Sequence, residues 1–347
     1  GIYFSYDLLK IMGSSNESIN LAKEYTDVIF LGSIVFLIQT SLNAILYSQG
    51  DTKSYRNFLI VGLIFNIILN PIFIFGLFFI PAFGIAGLAI STILIQFAGC
   101  VYLFLKVNKT ELKIVLKIEN FFPRRNFLVN IFRQVIPIAF SLFLVAIGSF
   151  ILLFFISIFG DQAIAGYGVG IRFEHLFTLP VIGLNTAVIS IAGQNFGARR
   201  FDRIREVYFK AILIGVIIMC FAGVTIYLFS ESIVHVFSND LEVIKFGSQY
   251  LKIAAFIIPI YPVFFISNAF FTAAKKTSLI FYSNLFRLIV LPTIIVWIIL
   301  NIFDGEFQDI FFGLLYMNWI FGFFVLLLVR IVMIKKFYEK KKFFFFI

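Results

Sequence analysis

Nine stretches of about 20 residues run almost without charge through this chain: 27–48, 57–80, 84–106, 134–158, 173–192, 208–230, 248–272, 279–301 and 309–331. A helix needs about 20 apolar residues to cross the roughly 30 Å hydrocarbon core of a bilayer. No soluble core could absorb nine such segments. Of 347 residues, 61% are hydrophobic, 13% are charged and 50 are Phe; soluble domains carry about 45–50% apolar and about 25% charged residues. The stretches show no period-2 alternation, which argues against a membrane barrel. The fold class expected is an all-α integral membrane protein.

Basic residues set the direction of the spans. The connections 49–56, 106–133, 197–210, 273–278 and 330–342 carry 22 of the 28 Lys and Arg. The opposite connections carry Lys10, Lys23, Lys245 and Lys252, and Arg172 and Arg287 lie near or inside spans. Excess positive charge marks the cytoplasmic side, so 106–133, 197–210 and the C-terminus are expected inside a bacterial plasma membrane. The net charge of +10 is thus a topology signal, with contact to anionic lipid, and not a sign of a nucleic-acid partner. Cys100 and Cys220 both lie in apolar runs and do not indicate a disulfide framework.

The chain also repeats. At an offset of 225, Phe4, Ser5, Glu17, Ile19 and Tyr25 match Phe229, Ser230, Glu242, Ile244 and Tyr250, and Asn43, Ala44 and Thr52 match Asn268, Ala269 and Thr277. Pro71 then matches Pro292 at an offset of 221. Both copies share a basic inner side, which makes the repeat parallel, about a pseudo-twofold axis along the membrane normal. We expect an incomplete N-terminal bundle (1–106), a cytoplasmic linker (107–132) and a C-terminal six-helix bundle with a basic tail (133–347). On this reading about nine helices of twelve are present, and the sequence begins inside a longer chain, with residues 1–5 ending a third helix. The alternative is a shorter, nine-helix protein.

The segment SIAGQNFGARR, 190–200, looks like a glycine loop for phosphate. Such a loop needs a strand before it and a helix after it, but the residues before it are an apolar membrane helix, and no Walker lysine follows. Gly193 and Gly197 are therefore expected to end a span and allow tight packing, with Arg199, Arg200, Arg203 and Arg205 anchoring its inner end.

The sequence resembles the multidrug and toxic compound extrusion family over almost its whole length. The resemblance rests on GYGVGIRFEHLFTLPVIGLNTAVISIAGQNFGARRFDRIR, 166–205, and on QGDTKSYRNFLIVGLIFNIILNPIFIFGL, 49–77. Gly193, Gln194, Asn195, Gly197 and Ala198 form its signature. The resemblance implies two six-helix bundles in a V, and export of amphipathic, often cationic compounds in exchange for H⁺ or Na⁺. It implies no cofactor beyond that ion, and a monomer whose partners are the bilayer and a small-molecule substrate. The family's coupling aspartate lies in its first helix, which this sequence does not contain. The acidic residues that some branches add in the seventh and tenth helices have no counterpart in 134–158 or 248–272.

Ionisable groups at membrane depth mark function by default. Glu174 and Arg172 stand at the outer start of a span, two residues apart and so pointing apart. Glu174 either binds a cation, proton or organic cation, or is a boundary residue wetted from outside. Arg287 is expected to pair with backbone carbonyls. Asp161, His175 and His235 are expected in solvent. Tyr261 offers an aromatic face to a cation or packs in the core, and Asn185 is a candidate for substrate or cation contact among polar span residues that mostly satisfy helix contacts. Pro180 and Pro259 are candidate hinges.

Two other functions compete. A lipid-linked oligosaccharide flippase would line its cavity with several basic residues, and only Arg172 and Arg287 are candidates. A membrane-embedded enzyme would need clustered His, Asp or Glu at depth, and two separated histidines do not supply that.

Overall fold

The computed structural model describes residues 16–77, 80–111 and 124–344, and among these every regular element is a helix. Residues 1–5, residues 112–123 of the expected linker and the end of the basic tail lie outside the described residues or side chains. Among the described residues eight helices are long and apolar enough to cross a membrane, or nine when one bent pair is counted as a span.

The chain divides into two compact units, residues 1–122 and 123–347. In the first, α1 (Asn16–Leu31) and α2 (Ser33–Ser48) form the bent pair, with 49° between them. The bend falls at Gly32, where a Cβ would meet the Ile93 side chain at 2.4 Å. α3 (Lys53–Phe75) ends at Gly76, whose φ of +71° is open to glycine at little cost. α4 (Gly84–Asn108) packs against all three. The small core here holds Leu42, Leu46, Cys100, Leu103 and Val107.

The second unit has α5 (Arg125–Ile156), α6 (Asp161–Gly197), α7 (Phe201–His235), α8 (Leu241–Ile257), α9 (Tyr261–Ala273), α10 (Thr277–Leu285), α11 (Leu291–Ile302) and α12 (Phe307–Phe344). A single 3₁₀ turn, Ile258–Ile260, joins α8 to α9, and a π turn, Phe286–Val290, joins α10 to α11. Both interruptions stand beside prolines: Pro259 and Pro262 at the first, Pro292 at the second. Proline removes a backbone donor and clashes with the carbonyl four residues back. α8 is the axial element, packed against α6, α7 and α12. The outward faces are apolar, with Phe150, Phe221, Leu228 and Ile320 all more than two-thirds exposed. A soluble monomer does not expose apolar surface on that scale.

Several expectations need correction. α6 starts at Asp161, twelve residues before the expected span, and α5 starts at Arg125, inside the expected linker. Gly193 and Gly197 are not close-approach glycines, since a Cβ on either would meet nothing within 4 Å. Gly193 lies within α6 and Gly197 is its last residue, with Ala198 as C-cap. The left-handed residue that turns the chain is Arg199, with φ 56°. The Arg200 N–H then donates back to the Asn195 carbonyl at 2.9 Å, closing the helix end.

Candidate functional site

One face of α6 explains the site. Gly166, Gly170 and Glu174 recur every four residues and so share a helix face. A Cβ at Gly166 would lie 2.7 Å from both the Gly247 nitrogen and the Val243 carbonyl oxygen of α8, and one at Gly170 would lie 2.5 Å from the Tyr250 ring. Small residues at this spacing let two membrane helices come together closely. The close approach carries Tyr250 to Glu174.

Glu174 is 5% exposed, and it is the only charged residue among those fully buried in the described part of the chain. The Tyr250 hydroxyl donates to its Oε2. The Tyr261 hydroxyl, from the first residue of α9, donates to its Oε1 at 2.7 Å. Tyr167, two turns earlier on α6, packs edge-on against Tyr250 with ring centres 4.9 Å apart, and Phe311 of α12 packs against both rings. The carboxyl therefore sits in an aromatic box, held at both oxygens.

Tyr261 also faces a cation. The Arg287 guanidinium stands 5.2 Å from the Tyr261 ring centre and 3.9 Å from that of Phe264, within range of cation–π attraction. Its Nε donates to Asn318 Oδ1 at 3.2 Å, and Asn318 is itself fixed by donating to the Leu314 carbonyl at 2.8 Å. The π turn holds Arg287, and the Leu288 carbonyl of that turn presses on Gly148 of α5, where a Cβ would meet it at 2.5 Å. Glu174 and Arg287 form no ion pair with each other; Tyr261 links them, hydroxyl to one and ring face to the other. Isolated charges are costly at membrane depth, and this arrangement sets one anion near one cation through a neutral side chain.

The expected site residues thus separate. Glu174 is not a wetted boundary residue: it lies thirteen residues into α6, buried. Arg287 bonds a side-chain amide and two rings in place of the carbonyls expected. Arg172, His175, Asp161 and His235 are all exposed. Asn185 donates to the Phe265 carbonyl of α9 at 2.6 Å, which ties α6 to the interrupted helix. Pro259 stands in the 3₁₀ break, whereas Pro180 lies inside uninterrupted α6. Of the signature residues, Asn195 donates to the Ile191 carbonyl at 2.8 Å and lines a surface cleft between the end of α6 and the start of α7, while Gln194 is exposed at the helix end.

Sequence reasoning missed Tyr250, Tyr167, Asn318 and the Gly166–Gly170 stripe. The stripe was legible as two glycines four apart leading to Glu174. Tyr250 appeared only as a repeat identity with Tyr25. Among the described residues no group of three or more His, Cys, Asp or Glu could hold a metal ion.

Comparison with known proteins agrees with the fold. The MatE family model matches residues 1–72 and 137–298. The "Probable multidrug resistance protein YoeA" of Bacillus subtilis (strain 168) is 28% identical over 256 residues, 73% of this chain and 55% of that protein. The "Probable multidrug resistance protein NorM" of Thermotoga maritima is 30% identical over 234 residues, 67% of this chain and 50% of that protein. The chain therefore spans about half the length of these curated relatives. Among solved structures, the outward-facing conformation of a multidrug resistance MATE family transporter of the MOP superfamily superposes with a TM-score of 0.87, at 23% identity, over 95% of this chain and 73% of that one. This last likeness concerns the fold.

Proposed function

Because the chain belongs to the MatE family of multidrug and toxic compound extrusion transporters, we propose that the complete protein exports amphipathic, often cationic compounds in exchange for H⁺ or Na⁺, with Glu174 as a coupling group. Membership of this transporter family sets it apart from the enzymes, and the flippase reading gains no support: Arg172 points to the surface and Arg287 is already engaged by Asn318, Phe264 and Tyr261.

The carrying observation is the doubly bonded Glu174. A coupling ion acts only through different affinities for two states. Protonating Glu174, or placing a cation on it, removes acceptor capacity from a carboxylate that now accepts from two hydroxyls. Tyr261 is the residue at which the broken helix resumes. A change at the carboxyl is therefore delivered to the Pro259 break, the one place where the axial helix can hinge without losing regular hydrogen bonds it still has. In alternating access one bundle moves against the other about a central site, and this break is the hinge we assign to the second unit.

Dye efflux from cells making the complete protein tests the proposal. Glu174→Gln keeps the size and the acceptor oxygen but cannot exchange a proton, and efflux should fall by about tenfold or more at matched membrane expression. Efflux driven separately by imposed pH and Na⁺ gradients identifies the ion. Undiminished efflux from the Gln variant under both gradients removes Glu174 from the mechanism.

We further propose a bacterial plasma-membrane location with the C-terminus in the cytoplasm, on the strength of the basic connections. In a background with all native cysteines of the complete protein replaced by Ser, a cysteine at exposed Arg205 should react with an impermeant maleimide only after permeabilisation. Reaction in intact cells reverses the orientation. Neighbouring Ile204 is buried and would not report.

A further inference from the structure

The end of α6 and the start of α7 enclose a cleft of about 340 Å³ that the transport reading leaves unused. Its chemistry is divided. One part is cationic: Arg200, Arg203 and Lys210 line it, with Glu206 as the single acid. Glu206 accepts from Arg203 at 3.1 Å and from Lys210 at 2.7 Å, so two cations share one anion. The Arg200 side chain has no hydrogen bond or ion pair among the described residues. α7 begins there with no side-chain cap, which leaves its first N–H groups and the positive end of its dipole at the same place.

The other part is apolar. Ile191 and Val207 form walls, and the cleft stands at the head of an exposed stripe. Lys210, Ile214, Ile217 and Phe221 follow at spacings of four, three and four along α7, on one face of the helix. Ile214 is 48% exposed, Ile217 60% and Phe221 76%. A free anion needs the cations but has no use for the stripe. A nucleic acid would meet hydrocarbon where its next phosphate should lie. A molecule with one phosphate and long acyl chains uses both parts.

We propose that this cleft binds the phosphate headgroup of an anionic glycerophospholipid, with an acyl chain along Ile214, Ile217 and Phe221. The phosphate takes the place that Glu206 fills only in part, bonding Arg200 and drawing on Arg203 and Lys210. The site rests on the membrane-spanning architecture and is independent of the transport reading. By the charge of its connection it faces the cytoplasmic leaflet, where anionic lipid attracts basic residues.

The test is lipid retention by the complete protein. It is reconstituted in nanodiscs of phosphatidylcholine with a minor share of phosphatidylglycerol, extracted in mild detergent and examined by native mass spectrometry. The combined variant Arg200→Gln, Arg203→Gln and Lys210→Gln should lose bound phosphatidylglycerol by about fivefold for each charge that contacts the lipid, from the known attraction of single basic residues to anionic surfaces. Glu206→Gln should raise retention, because it removes the competing acid. A control variant, Arg124→Gln with Arg125→Gln and Arg133→Gln, removes the same charge from exposed positions on α5 and its cap and should leave retention unchanged. Equal losses in the two triple variants mean diffuse surface attraction and overturn the site. Unchanged retention in the cleft variant overturns it too. Displacement of the lipid by inorganic phosphate at matched concentration means a free-anion site and overturns the lipid assignment. All substituted side chains are at the surface or in this cleft, and a monodisperse elution profile confirms folding in each variant.

Discussion

Each of the two units breaks one helix at a matching position of the repeat, and the two breaks are used differently. In the first, α1 gives way to α2 at Gly32; in the second, α8 gives way at Ile258–Ile260. With the repeat offset of 225, Gly32 corresponds to residue 257, beside the second break. Around the first break the polar groups are neutral. Asn70 donates to Asn66, Ser91 donates to Asn70, and Gln39 Nε2 and Gln96 Oε1 are buried with no hydrogen-bond partner. Around the second break the groups are charged and bonded. Tyr261 stands where the first unit has Phe36, and Arg287 where it has Asn66. The second break is also enclosed: 72% of the most apolar window of Leu241–Ala273 is buried, and so is Glu174 beside it. A repeated backbone interruption is thus a shared mechanical feature. The chemistry is added by individual side chains, and only a well-enclosed break can hold a charge.

The largest effect is expected from making the second unit neutral one step at a time. Arg287→Asn copies the first unit's residue and leaves Glu174 without its nearby cation. Losing one member of a buried charge arrangement should lower stability by on the order of 2–3 kcal/mol, read as the thermal midpoint of the complete protein in detergent. Adding Glu174→Gln should restore most of that loss. A double variant no more stable than the single one shows that the two groups do not compensate each other.

Glycine substitutions come next, and here the units should behave alike. A Cβ at Gly166 meets α8 backbone at 2.7 Å, and one at Gly87 in the first unit meets the Phe73 carbonyl oxygen at 2.5 Å. Alanine at either should cost about 1–3 kcal/mol, since backbone cannot yield as a side chain does. Gly166→Ala should also reduce efflux, because it pushes Tyr250 away from Glu174, and that second effect distinguishes the units. If Gly166→Ala transports normally, the close helix approach is not what assembles the site.

The smallest effect belongs to the signature glycine. Gly193 lies in a helix interior with open space at its Cβ position, so Gly193→Ala should be neutral or stabilise by up to about 1 kcal/mol. A marked loss of stability there would contradict the open space at its Cβ position.

The sequence by itself determined the all-helical membrane architecture, the approximate positions of the spans and the family, and it supplied the charge pattern on which the proposed sidedness rests. Each of these is written in single segments: apolar length measures the bilayer, basic residues count one connection at a time, and a repeat needs only a common offset. Interruptions were half legible. Prolines stood beside both breaks, Pro259 at the first and Pro292 at the second, but that the second is a π turn setting the Leu288 carbonyl against Gly148 of α5 shows only in the packed structure. Only the tertiary structure decided the site. The bonds to Glu174 join residues 76 and 87 positions apart, and the bond from Arg287 to Asn318 spans 31. Whether Glu174 was a wetted boundary residue or a sealed carboxyl turned on how closely α8 approaches α6. Two glycines set that distance, and their consequence appears only when the partner helix is in place.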